Sequence, residues 1–117
     1  MAHVSDEAKG TRTLGAVLRE ARDRRGWVPV RLAMELGMLD LNGVTGDRIE
    51  DYEEDQAEPS VEELAAIMAV LGVTLAQVDG LLPWPVEALE AKLASYVARV
   101  AEAKGSGRGE GKEARSW

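Results

Sequence analysis

Two groups of ionisable side chains stand apart in this sequence. From Lys9 to Arg31 the bases Lys9, Arg12, Arg19, Arg22, Arg24, Arg25 and Arg31 are offset only by Glu20 and Asp23. From Thr45 to Glu63 the acids Asp47, Glu50, Asp51, Glu53, Glu54, Asp55, Glu58, Glu62 and Glu63 stand against Arg48 alone. A basic segment of this density suits an anionic surface such as a phosphate backbone. The acids suit either proton transfer or a cationic partner. Proton transfer by paired carboxylates requires a pocket that drives their pKa values apart, and a domain this small rarely encloses one, so no enzymatic activity is expected. The chain has no cysteine, which excludes thiolate nucleophiles and thiolate metal sites, and His3, its one histidine, lacks neighbouring ligands. Neither a metal nor a cofactor is expected.

The elements that position these groups must come from 117 residues, enough for one core. Hydrophobic residues make up 45% and charged residues 30%, with no Phe, so the core rests on Leu, Val, Ile, Met and Ala and the fold class is all-α. No apolar run approaches the roughly 18 residues of a membrane span, and "MAHVSDEAKG" lacks the apolar centre of a signal peptide. A cytoplasmic protein is expected. The net charge of −7 opposes non-specific binding to nucleic acid, so the distribution of charge matters more than its sum.

Residues 1–12 show no periodicity and read as a flexible arm. Thr13 caps a first helix, "LGAVLREARDRR", with Leu14, Val17, Leu18 and Ala21 inward and its arginines at the favourable C-terminal end. "VPVRLAMELG" is a short second helix: Pro29 suits its first turn, Leu32, Ala33 and Leu36 form its apolar face, and Gly37 stops it. After the Asn42-Gly43 turn, Thr45 caps a third helix with Ile49 and Tyr52 inward and an acidic outer face. Ser60 and Glu63 have capping-box spacing ahead of a fourth helix carrying Leu64, Ile67, Met68 and Leu71, ended by Gly72. Thr74 and Gln77 repeat the device for a short fifth. A sixth segment, 83–104, places Val86, Leu89, Leu93, Tyr96 and Val100 at alternating spacings of three and four, nearly three heptads. That stripe either meets its copy in a two-fold dimer or folds back over the chain's own core beneath Trp84. The tail 105–117, "GSGRGEGKEARSW", has no face to bury and is expected to be disordered.

The ordered series "LREARDRRGW", "RLAMELG", "GVTGDRIEDYE" and "PSVEELAAIMAVLGVTLAQV" resembles the Xre-type family, the Cro and phage-repressor-like helix-turn-helix domains of five short helices, over residues 13–82. The resemblance implies a structural ion pair between Arg22 and Glu53. It also implies that the third helix enters the major groove of double-stranded DNA, with Thr45, Gly46, Asp47, Arg48, Glu50 and Asp51 at the matching positions, and that the region of Val28 and Pro29 lies by a phosphate. Arg24, Arg25 and Arg31 read either as a phosphate clamp next to the second helix, with Lys9 and Arg12 as a trailing arm, or as ordinary solvated surface. Arg48 reads either as a base or phosphate contact or as a partner of Asp51 three residues on.

Three departures weigh against a simple transfer. Val28 and Pro29 stand where the family offers a cap and a phosphate donor, and neither side chain can hydrogen-bond a phosphate. The link between the second and third helices is expanded by "MLDLNG". The third helix exposes Asp47, Glu50 and Asp51, which repel phosphates even though a carboxylate can accept from cytosine. Two functions are therefore expected in competition. One is a transcriptional regulator, most simply a repressor, binding duplex DNA as a homodimer. The other is a protein-interaction module, such as an antitoxin, an anti-repressor or a polymerase-associated factor, that sets its acidic third helix against a basic protein partner.

Overall fold

The structure, a computed structural model, describes residues 12–112, with side chains placed for 12–103. Lys9, His3, the arm before Arg12 and the tail residues 113–117 lie outside the described residues. Among the described residues there are five α-helices and one 3-10 turn: α1 (Leu14–Arg24), α2 (Pro29–Gly37), α3 (Gly46–Glu53), α4 (Val61–Leu71), the 3-10 turn Leu75–Val78, and α5 (Val86–Lys112).

Local signals account for where the helices begin. Thr13 and Thr45 are N-caps whose hydroxyls accept from the N–H groups of Ala16 and Arg48, each at 3.2 Å. Ser60 and Glu63 complete a reciprocal capping box at the start of α4, with both bonds at 3.1 Å. Pro29 occupies the first turn of α2, where its missing N–H costs nothing, and Val28 provides no side-chain cap. Gly72 ends α4 in the left-handed conformation that glycine alone adopts without strain. The expected fifth helix is a single 3-10 turn. Gln77 Oε1 accepts from the Thr74 N–H at 2.9 Å, and the chain then leaves through an extended Asp79 and a left-handed Gly80, so the turn is never extended.

The core is centred on α4, whose Leu64, Ile67 and Met68 are fully buried between the other helices. Leu18, Leu32, Leu36, Ile49 and Val78 close around them. At one point backbones meet directly: a Cβ on Gly15 of α1 would lie 2.4 Å from the Tyr52 carbonyl oxygen and 2.5 Å from that of Glu53. Only glycine lets α1 cross the end of α3 so closely. Its N–H also donates to Asp55 Oδ1 at 3.3 Å.

Packed mainly on α4, α5 puts Leu89, Leu93 and Tyr96 into the core of its own chain, with Val100 partly buried beside them. Tyr96 donates to Glu62 Oε2 at 2.6 Å, which fixes the helix to the first turn of α4. Within the chain the stripe takes the folded-back course, with Trp84 packed against the core. Pairing of Leu89, Leu93, Tyr96 and Val100 with a second copy would first require α5 to undock and expose them to water. Val86, at the start of the helix, is exposed. The α5 backbone also continues beyond Lys104 to Lys112, through part of the run expected to be disordered.

Candidate nucleic-acid interface

The α2–α3 unit is the candidate interface, and three contacts hold it in place. Arg22, on the buried side of α1, donates from Nε to Glu53 Oε2 at 2.6 Å and from Nη2 to Glu53 Oε1 at 2.8 Å. Its Nη1 donates to the Trp27 carbonyl at 2.5 Å. One guanidinium thus joins the end of α1, the connection into α2 and the end of α3, and both charged side chains are buried. The hydrogen bonds to Glu53 raise the Arg22 pKa further, against an opposing effect of burial.

The second contact is between α2 and α3, where Gly46 packs against Val30. The third comes from the C-terminal helix. Arg99 Nη2 donates to the Leu39 carbonyl at 3.2 Å and lies 3.4 Å from Asp40 Oδ2. The expanded link "MLDLNG" is thereby pinned from outside by α5, and from inside by the buried Leu39 and the Val44 that follows it. Asp40 adopts a left-handed φ of 69° to make the bend.

On α3 itself, Arg48 does not pair with Asp51. Its Nε donates to the Tyr52 hydroxyl at 2.9 Å, and that hydroxyl donates to Glu63 Oε1 at 2.6 Å. The bond to Tyr52 raises the Arg48 pKa. For Glu63, burial pushes the carboxyl up, but the Tyr52 hydroxyl, the Ser60 N–H and Arg48 together outweigh it and hold the group below its usual value. The terminal guanidinium nitrogens of Arg48 have no acceptor among the described residues. Arg48 is therefore anchored at one nitrogen and open at the others, on an exposed surface.

The other positions named from the sequence fall in two places. Thr45, Asp47, Arg48 and Asp51 are exposed at the N-terminal part of α3, with Glu50 among them, while Gly46 is half-buried under Val30. Arg25 and Arg31 converge on Trp27, their guanidinium carbons 5.3 and 4.7 Å from its ring centroid. Arg31 is also bound to Glu35 at 3.0 Å. Arg24 turns back toward Glu20 at 3.6 Å, and Arg12 pairs with the same carboxylate. Of Arg12, Arg24, Arg25 and Arg31, only Arg25 has no carboxylate partner among the described residues.

Sequence reasoning missed Trp27 as the residue on which two arginines gather, and it missed Tyr52 as the anchor of Arg48. The second was accessible, because Arg48 and Tyr52 are four apart on a helix. The outer face of α2 was missed as well: Val30, Met34 and Met38 recur every four residues and are 57%, 63% and 77% exposed, with Val28 exposed ahead of them.

Short helices packed so that a Thr-capped α3 is braced against α2, with α3 tied to α1 by a buried ion pair and the same arginine bonded to the connection into α2, define an all-α helix-turn-helix fold. The chain belongs to the helix-turn-helix domain family, whose model matches residues 13–81. No curated protein and no solved structure matches it. No helix among the described residues is long and apolar enough to cross a membrane.

Proposed function

We propose that the protein is a DNA-binding transcriptional regulator of the Xre type that presents α3 to the major groove of duplex DNA. The observation that carries this reading is Arg48, whose Nε is held by Tyr52 while its outer nitrogens stay open. A guanidinium held in this way matches the paired acceptors of a guanine edge or a phosphate. Thr45 and Asp47 lie beside it as a hydroxyl and a cytosine acceptor, and Arg25 adds positive charge near the start of α2. Repression requires nothing beyond occupancy of a promoter site. Symmetric half-sites, common among such proteins, would call for a two-fold interface built from surfaces other than the docked α5 stripe.

The test is retention of genomic duplex fragments at about 50 mM salt, followed by a salt titration. A DNA-binding protein retains them and loses them steeply as salt rises. Absence of retention at that salt overturns the reading.

A second reading is favoured by the surface of α2. Val30, Met34 and Met38 form an apolar ridge that cannot bind phosphates, and the neighbouring α3 exposes Asp47, Glu50 and Asp51, with Glu54 exposed just after it. Apolar and acidic surface together suit a basic protein partner. In that case Met34→Ser weakens the complex while duplex DNA is never retained.

A further inference from the structure

Beside α2 the arginine–tryptophan stack forms one wall of a cleft of about 390 Å³. Its other walls come from Met38 and Leu39 at the end of α2, Val70 of α4, and Val100 of α5. The volume is near the lower end of the roughly 300–1,000 Å³ typical of small-molecule sites, and the lining is mainly apolar with a few charged groups, as such sites are.

Charge selects the ligand. Glu35, at 3.0 Å from Arg31, neutralises that arginine within the cleft. Arg25 remains, spread over Trp27 and reaching beside Gly72, the C-cap of α4. The partial negative charge of that helix end steadies the guanidinium without cancelling it. Among the described residues that line the cleft, Arg25 is the one cationic group without a carboxylate partner, and it is exposed to solvent. A hydrocarbon would fill the cleft and leave Arg25 unused, whereas a doubly charged anion would bring its second charge against Glu35.

We propose that this cleft binds a small amphipathic monocarboxylate, its carboxylate on Arg25 above Trp27 and its apolar tail against Met38, Val70 and Val100. Carboxylate and guanidinium match in planar geometry, and one charge answers one charge. The occupant would touch Leu39 and Val100, on either side of the contact by which Arg99 holds the α2–α3 link.

The full-length protein is titrated with octanoate, octan-1-ol and octylammonium, which share one tail and differ in head charge. Binding is read by calorimetry and by tryptophan fluorescence, with Trp84→Phe and Trp117→Phe used to assign the signal to Trp27. Octanoate is expected to bind saturably at millimolar concentration and to change Trp27 emission. Octan-1-ol should bind about tenfold more weakly, the scale of one lost hydrogen bond to a charged group, and octylammonium should not bind. Arg25→Gln should remove the advantage of octanoate over octan-1-ol, while Arg19→Gln, on the exposed side of α1, should not. If the Trp84 variant does not fold, calorimetry on the Arg25 and Arg19 variants alone decides. Equal affinity for octanoate and octan-1-ol, no saturable binding of octanoate, or an unchanged preference in Arg25→Gln overturns the proposal.

Discussion

The Nε of Arg48 donates to the hydroxyl of Tyr52 at 2.9 Å, one turn along α3, so the arginine is oriented before any ligand arrives. Tyr52→Phe removes the anchor and keeps the ring. In competition binding against duplexes varied one base pair at a time, Tyr52→Phe and Arg48→Gln should both relax preference at a single position. Undiminished preference in both variants would exclude Arg48 as a reader.

Arg22 and Glu53 are buried together, so removing one leaves the other charged and unpaired. Glu53→Ala is expected to cost about 3–5 kcal/mol in urea unfolding. A double substitution, Arg22→Met with Glu53→Leu, should recover most of that loss. A coupling energy near zero in the cycle of single and double variants would contradict the pairing.

Glu63 links Tyr52, Ser60 and Arg48, and its folded pKa is depressed. A carboxyl depressed by folding stabilises the protein above its unfolded pKa, about 4.3, and the contribution fades as pH falls through the lower folded value. Thermal melts of wild type and Glu63→Gln should thus differ most near neutral pH and converge in acid. A difference that is constant with pH would mean the carboxylate charge is not involved.

Gly15 has no room for a side chain, because the nearest atoms are carbonyl oxygens that cannot swing aside. Gly15→Ala should lower stability by about 3 kcal/mol, the upper range for overpacking. Gly43→Ala serves as control, since nothing lies within 4 Å of its Cβ position. Equal melting temperatures for the two variants would show that α1 can shift away from α3.

Leu89 is fully buried within its own chain. Leu89→Ala should destabilise the fold by about 2–5 kcal/mol and leave the sedimenting mass of the native protein unchanged. A drop in mass without loss of stability would instead place the residue between two copies.

Much of the fold was legible because its signals are local. Thr13, Thr45 and Ser60 cap within three residues of themselves, and the apolar spacing of α1, α2 and α4 reports which face of each helix turns inward. The 3-10 turn was read as a helix because Thr74 and Gln77 carry the same capping signal in either case. The candidate site was less legible. Arg48 was weighed against Asp51, three residues on, when Tyr52, four residues on, held it and was itself held by Glu63 of another helix.

The sequence by itself determined an all-α chain, the inward face of each main helix and the separation of basic from acidic segments, since these depend on residue type and helical period alone. Tertiary structure decided what each face meets. A stripe such as Leu89, Leu93 and Tyr96 states that a surface must leave water, and hydrophobic burial has no direction, so α4 and a second copy would satisfy it equally. Within the chain the stripe meets α4, whose own apolar surface, the Tyr96–Glu62 bond and the Arg99 contact with Leu39 lie within its reach.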